Sequence, residues 1–414
     1  MQKVKALYGR ARDGLVALLR RRDPAEYFIA LMIPGLLIFL LRCLVGGESA
    51  FIGIFFKGCE DLFMDFFNPV RDTAQGIEVY TRLGSIYPPL SNLLISVFSL
   101  FIPREYLDTP RELAHTWRAY PAAIACYAAF CVICFALLAA LLWREPYSGK
   151  KRAVLIPLLL ASFPMLFLLE RGNTMLLCVA CMLVYVQNYH SESRVAREVG
   201  LVALALATAL KFYPVLLGAM LIADRRWREA IHACVYGVLC LFVPSFFYGG
   251  PISVFWAIKY TLGFSRASSQ LSVDFMEQNH IPLQLGGSVL FGFYIFIILL
   301  AAVTALLQKK AWKSFLFCGA VMLTMPSIFS SYNWLLLLPA LVLFLRTERL
   351  QGVNWIYFFA MTLPFFTYPP RPAQDALLVV CLLVIYGAYL IETGVALKAL
   401  LRDRRASSAE KSSS

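Results

Sequence analysis

Apolar runs long enough to cross a membrane recur along the whole chain. The first covers residues 27–45, and the later runs, separated by short polar segments, cover residues 86–103, 119–143, 153–169, 174–189, 198–223, 230–248, 285–308, 314–327, 333–345, 353–368 and 376–400. A helix needs roughly 20 apolar residues to cross a hydrocarbon core of about 30 Å. The pattern predicts an all-α polytopic membrane protein with about 12 transmembrane helices.

Two long polar segments interrupt this pattern, a first loop over residues 46–86 and a second over residues 248–284. In the first loop phenylalanines alternate with carboxylates, which are Glu48, Glu60, Asp61, Asp65, Asp72 and Glu78. A connection of this length in a compact protein is usually functional. The aromatic residues predict short helices lying on the membrane surface, with the carboxylates facing water.

The remaining segments complete the predicted domain organisation. Residues 1–25 are basic with leucines at helical spacing, which predicts an amphipathic segment on the cytoplasmic face. Residues 26–401 form the transmembrane domain, and residues 402–414 are polar and predicted to be disordered. We expect both termini to be cytoplasmic and the two long loops to be extracytoplasmic, in the cell's inner (plasma) membrane.

The composition excludes a soluble protein, because 60% of the residues are apolar and only 15% are charged. The formal net charge of +13 lies in short clusters between apolar runs and at both ends of the chain. That distribution indicates positive-inside topology and attraction to anionic lipid. We therefore expect the lipid bilayer as a partner, and no nucleic acid.

The topology of the middle of the chain has two interpretations. Simple alternation of spans places residues 144–152 and 190–197 outside, against the positive-inside rule. The other interpretation makes residues 86–103 re-entrant and splits the run 198–223 at Lys211-Phe-Tyr-Pro214, which restores the rule. The halves of a split run would be very short, and on that ground simple alternation is favoured.

The cysteines and histidines do not predict a metal site. Two C-x-x-C spacings, at residues 131–134 and 178–181, lie within apolar runs, where cysteine is a small packing residue. The four histidines share no ligand spacing. We expect no cofactor and no strict requirement for a divalent metal.

Asp65 is the strongest candidate for a catalytic residue. A carboxylate flanked by aromatic residues at a membrane surface is partly desolvated, which tends to raise its pKa and to improve it as a general base. Two structural roles remain open, capping of a surface helix and pairing with Arg71. Asp61 lies four residues earlier and would share the same helix face. The sequence predicts that Asp65→Asn abolishes activity and leaves stability nearly unchanged.

Two further residues stand out at the ends of apolar runs. Lys211 lies within an otherwise apolar segment, where a charge is costly and therefore suggests function, although its amine could also extend to the membrane interface. Asn173 lies in a short turn between two runs. Its side chain could bind sugar hydroxyls or cap the following helix.

Five motifs occur in a fixed order along the chain: Asp65-Phe66, Gly84-Ser-Ile-Tyr87-Pro88-Pro89, Arg171-Gly172-Asn173, Lys211-Phe-Tyr-Pro214 and Arg225-Arg226-Trp227. As a set they resemble the GT-C superfamily of integral-membrane glycosyltransferases, in particular glycosyltransferase family 87. Actinobacterial members of that family are polyprenyl-phosphate-mannose-dependent mannosyltransferases. The resemblance implies a GT-C-like fold with extracytoplasmic active-site loops.

The resemblance also implies a reaction. It is an inverting transfer of a hexose (mannose favoured) or a pentose from a polyprenyl-phosphate sugar to a lipid-linked or cell-envelope glycan or glycolipid acceptor. Asp65 would be the general base, with Asp61 assisting or substituting. A phosphate leaving group needs positive charge, and the candidates for binding the donor phosphate or sugar are Lys211, Asn173, Arg82, Tyr87, Arg266, Tyr332 and Arg371.

A rival interpretation is a transporter or flippase of lipid-linked glycans. A transporter would place ionisable residues at mid-span and would often show an internal repeat. In this sequence the carboxylates concentrate in loops, and no repeat is evident. The pattern favours an enzyme.

Overall fold

The computed structural model describes residues 23–55, 62–268, 310–324 and 331–413, together with residues 296 and 299. Within these ranges the chain is helical and forms no β-strand. The amphipathic segment expected before residue 23, Asp61 and most of the second loop lie outside the described residues. The all-helical class predicted from the sequence is confirmed.

The first part of the chain forms one long helix, a series of short helices, of which the first two lie in the first loop, and a second long helix. In order these are α1 (Pro24–Phe55), α2 (Met64–Thr73), α3 (Glu78–Thr81), α4 (Pro89–Ser99), α5 (Arg104–Leu107), a 3₁₀ segment (Arg111–Ala119) and α6 (Pro121–Trp143). Gly47 interrupts α1 with a φ of 58°. The short helices expected in the first loop are therefore present.

The rest of the chain forms helices interrupted by 3₁₀ segments at Tyr213–Gly218, Pro244–Tyr248 and Ser331–Leu337. The α-helices are α7 (Gly149–Leu160), α8 (Phe163–Arg171), α9 (Met175–Asn188), α10 (Arg194–Leu210), α11 (Ala219–Ala223), α12 (Trp227–Phe242), α13 (Ile252–Ser268), α14 (Ala311–Thr324), α15 (Leu338–Thr347), α16 (Asn354–Phe366) and α17 (Arg371–Ser413).

Membrane character is evident in four described helical segments, which are long and apolar enough to span a bilayer: Pro24–Phe51, Pro121–Trp143, Trp227–Tyr248 and Ala376–Lys398. A fifth candidate is the pair α7 and α8, which meet at a bend of 49°. Other predicted runs form shorter apolar helices, so the count of about 12 spans is not confirmed. None of the residues of α12 is buried, although most are apolar, as expected for a helix that faces lipid.

Simple alternation of the middle spans does not fit the contacts of the basic segments. Glu145, in the first segment, accepts hydrogen bonds from Arg346 at 3.2 Å and from Gln187 at 2.8 Å. These contacts join residues 144–152 to the end of α9 and the end of α15. We call this end of the helical bundle the basic end.

The second basic segment lies at the basic end as well. Arg226 donates to the backbone oxygen of Tyr189 at 2.7 Å, and Arg197 pairs with Glu229 at 3.1 Å. Residues 190–197 and 224–229 are therefore neighbours, and the run 198–223 leaves and returns to one end with a break at Lys211. This is the split run that the sequence left as the second interpretation.

α9 and α10 run from the basic end to the segments that carry Asp65 and Lys211. α9 is buried along most of its length and packs on α6, α10 and α15. At about 1.5 Å per residue, its 14 residues span about 21 Å. Asn173, two residues before α9, contacts Asp65, and the last turn of α9 lies beside Arg197. The length of α9 therefore separates Asp65 from the basic end.

Candidate active site

The start of α2 positions Asp65 against the end of α8. Phe63 adopts a left-handed conformation with φ 64°, and its N–H donates to the backbone oxygen of Glu170 at 2.9 Å. Phe66 and Phe67, which follow Asp65, are fully buried and pack against the ring of Tyr127. Aromatic packing therefore anchors α2, and Asp65 in its first turn is only partly exposed.

Gly172 makes the turn that brings Arg171 and Asn173 to this carboxylate. Its φ is 72°, a conformation that costs other residues about 1–2 kcal/mol. A Cβ there would lie 2.8 Å from Cβ of Phe66 and 2.9 Å from Cε2 of Tyr127. Only glycine fits this turn, which ends α8, starts α9 and lies directly against α2.

Asp65 accepts hydrogen bonds on both carboxylate oxygens. The guanidinium of Arg171 forms an ion pair with Oδ1, and Nδ2 of Asn173 donates to Oδ2 at 2.9 Å. Burial by itself would raise the pKa of Asp65. The charge and hydrogen bond of Arg171, the hydrogen bond of Asn173 and the charge of Lys211 outweigh burial and hold that pKa below its usual value.

Asn173 supports the start of the following helix, which is one of the two roles that the sequence left open. Its Oδ1 accepts a hydrogen bond from the N–H of Met175 at 3.0 Å, which supports the start of α9. Its Nδ2 lies 3.3 Å from the hydroxyl of Tyr87 and 3.2 Å from that of Tyr332. One buried amide therefore connects three separate segments of the chain.

The Tyr87-Pro88-Pro89 segment is held by hydrogen bonds to its backbone. The hydroxyl of Tyr80 donates to the oxygen of Tyr87 at 2.7 Å, and Asn92 donates to that hydroxyl at 2.8 Å. Pro89 begins α4, where proline is tolerated because its N–H is not needed. The side chain of Tyr87 is thereby directed from a fixed backbone towards Asn173.

Lys211 lies at the break between α10 and the following 3₁₀ segment. Its backbone is extended, with φ −147° and ψ 128°, so α10 stops there. Its Nζ lies 4.3 Å from the centre of the Tyr87 ring, a cation–π contact. The amine thus belongs to the polar cluster of Asp65, Arg171, Asn173, Tyr87, Tyr332 and Lys211.

Of the other residues expected at the site, only Arg82 has a described side chain, and it lies elsewhere. Arg82 is exposed and pairs with Glu78 at 2.7 Å, so its guanidinium is engaged on the surface. Arg266 lies on α13 and Arg371 begins α17, and their side chains are outside the described residues, as is Asp61. The suggested pairing of Asp65 with Arg71 is wrong, because Arg71 forms a buried ion pair with Asp72 instead.

Arg171 is the functional candidate that the sequence prediction omitted. The signal was present in the motif Arg171-Gly172-Asn173, but nothing in the sequence indicates which carboxylate this arginine contacts. Among the described residues, no group of three His, Cys, Asp or Glu side chains could hold a metal ion. The carboxylate of Asp65 can accept a proton, and the amine of Lys211 can attract an anion.

The comparisons with known proteins gave one match. The sequence model described as glycosyltransferase family 87 matches residues 86–339, which is more than half of the chain. The match contains Tyr87, Asn173, Lys211 and Tyr332, and it begins after Asp65. Among curated proteins and solved structures, none matches the chain.

Proposed function

The chain belongs to glycosyltransferase family 87, and from that premise we propose that it transfers a hexose, with mannose favoured, or a pentose from a polyprenyl-phosphate sugar. The acceptor is a lipid-linked or cell-envelope glycan or glycolipid. The observation that carries the proposal is one cluster that holds an ionised carboxylate, Asp65, together with a lysine amine, Lys211. A glycosyl transfer from a phosphate donor needs these two groups.

In the proposed reaction a hydroxyl oxygen of the acceptor attacks the anomeric carbon of the donor sugar. The bond between that carbon and the phosphate oxygen breaks, and the configuration at the carbon inverts. Asp65 takes the hydroxyl proton, while polyprenyl phosphate leaves with the bonding electrons. General-base assistance of this kind contributes roughly 10²–10⁴-fold to a rate. Asp61, if it lies near, assists or replaces Asp65.

Lys211 stabilises the negative charge that develops on the leaving phosphate. A preorganised positive group in a partly desolvated site is worth more than in water. The hydroxyls of Tyr87 and Tyr332 lie 3.3 Å and 3.2 Å from the amide nitrogen of Asn173, and hydroxyl and amide groups suit the binding of a sugar. Arg82, which pairs with Glu78 in this structure, and Arg266 and Arg371, whose side chains are outside the described residues, stay candidates for binding the donor phosphate or sugar.

We place the polar cluster on the extracytoplasmic side and the basic end on the cytoplasmic side, with both termini cytoplasmic. The basic segments share one end of the bundle, which supports this orientation by the positive-inside rule. A polyprenyl-phosphate sugar has its chain in the bilayer, so a site beside membrane-spanning helices suits it. No divalent metal is expected to be strictly required.

The experiment is an assay of the purified protein in lipid nanodiscs with a panel of polyprenyl-phosphate sugars and detection of released polyprenyl phosphate by mass spectrometry. Wild-type protein and Arg104→Gln, a control at an exposed arginine that pairs with Asp108, should release it from one donor, and Asp65→Asn should not. If no donor is consumed and reconstituted vesicles instead move lipid-linked glycans across the bilayer, the protein is a flippase.

A further inference from the structure

Arg171 and Asp65 form an ion pair that connects two parts of the chain 106 residues apart. Both side chains are largely buried, with exposed fractions of 20% and 16%. This ion pair is partly buried and includes the candidate base, whereas some other ion pairs of this protein, such as Arg82 with Glu78, are exposed on the surface. Resting on the proposed function, we propose that Arg171 is a positioning residue, which fixes the carboxylate of Asp65 in one orientation and keeps it ionised for proton transfer.

The first step of the argument is rigidity. Arg171 is the last residue of α8, and the turn that follows must be glycine because the positive φ and the close approach of Phe66 exclude a Cβ. The hydroxyl of Tyr127 also donates to the backbone oxygen of Leu169. The backbone that carries Arg171 is therefore fixed against the helix that carries Asp65.

The second step is orientation. Arg171 binds Oδ1 and Asn173 binds Oδ2, so the carboxylate is held from both sides and cannot rotate freely about its last bond. An ionised carboxylate can accept about four hydrogen bonds. It keeps capacity for an acceptor hydroxyl while both of these donors stay in place. Such positioning matters because a misplacement of about 1 Å can cost roughly 10²-fold in rate.

The third step is charge. Removing the guanidinium leaves the largely buried carboxylate with Lys211 as its remaining cation in the described cluster. An opposite charge within about 4–6 Å lowers the pKa of an aspartate by roughly 1–3 units. Because the base must be ionised to act, loss of Arg171 moves the acid limb of the pH–rate profile to higher pH.

The test compares wild type, Arg171→Gln, Arg171→Lys and the surface control Arg104→Gln in pH–rate profiles of kcat/KM. In Arg171→Gln the acid limb should move up by roughly 1–3 pH units and the plateau should fall by about 10²-fold. Arg171→Lys should return the limb near its wild-type position with a partial plateau, because lysine keeps the charge but not the planar geometry. Arg104→Gln should match wild type.

A rate loss in Arg171→Gln that is equal at every pH would overturn the proposal and leave Arg171 a structural residue. A second measurement does not depend on the reaction. Infrared difference spectra over a pH series record the band of the protonated carboxyl of Asp65, identified by its loss in Asp65→Asn. That band should appear at higher pH in Arg171→Gln than in wild type. If no donor reacts but the band shifts, the proposed function fails and the role of Arg171 in ionisation stands.

Discussion

The guanidinium of Arg171, at the end of α8, forms an ion pair with the carboxylate of Asp65, in the first turn of α2. This pair ties the first loop to the helical bundle as well as setting the ionisation of the candidate base. We therefore expect substitutions at Asp65 to lower stability, in contrast to the sequence-based prediction that Asp65→Asn leaves stability nearly unchanged.

Asp65→Asn should abolish transfer and also lower the free energy of unfolding by about 2 kcal/mol, because Arg171 loses its carboxylate partner. A fully buried pair would cost about 3–5 kcal/mol, and the partial exposure of this pair reduces that loss. The measurement is a denaturant titration in detergent. The double variant Asp65→Asn/Arg171→Gln should recover part of the stability and none of the activity, whereas additive losses would show that the two side chains are not coupled.

The same pair makes stability depend on pH in acid. The pKa of Asp65 is lower in the folded protein than in the unfolded chain, so its contribution is present above the ordinary value of about 3.9. It is lost as the pH falls through the folded pKa. Asp65→Asn should therefore show a weaker loss of stability between neutral and strongly acid pH than wild type does.

Gly172→Ala should destabilise the protein by roughly 3 kcal/mol and reduce transfer. The substitution combines a strained backbone with a Cβ that overlaps Phe66 and Tyr127. Gly352→Ala is the matched control, because Gly352 also has a positive φ, of 50°, but nothing within 4 Å of the added Cβ. It should cost about 1 kcal/mol. Equal losses in the two variants would exclude the packing contribution.

Lys211→Gln should raise the KM for the donor and lower kcat, because the phosphate loses its positive partner in the ground state and the transition state. We expect a loss of roughly 10²-fold in kcat/KM. Lys259→Gln is the control: Lys259 makes a similar contact with Trp256, at 4.6 Å, but is exposed on α13. Unchanged donor kinetics in Lys211→Gln would remove this lysine from the site.

Asn173→Asp should nearly abolish transfer although it changes few atoms. The new carboxylate cannot donate to Asp65, Tyr87 or Tyr332, and a second negative charge raises the pKa of Asp65. Asn188→Asp is the control at the other end of α9, because the amide of Asn188 donates to the backbone oxygen of Val184 at 2.8 Å and lies at the basic end. Activity that survives in Asn173→Asp would show that the amide does not organise the cluster.

The sequence alone determined the class of this protein. Apolar runs and turn residues are local properties, and they were enough to predict an all-helical membrane protein with short helices in an acidic first loop. The ordered motifs were enough to indicate the glycosyltransferase family. A charge within an apolar run is costly, and this singled out Lys211 in the sequence; its predicted role in binding the donor stays a prediction.

Only the tertiary structure decided which side chains meet. Arg171 lies next to Asp65 because Gly172 turns the chain against Phe66, and Arg71, six residues from Asp65 along the chain, turns to Asp72 instead. The sequence offered a break at Lys211 as one of two interpretations. The contact of Arg226 with Tyr189, which returns the chain to the basic end, decides between them. Partners across 106 residues are selected by packing in three dimensions, and no local pattern of polar and apolar residues records that choice.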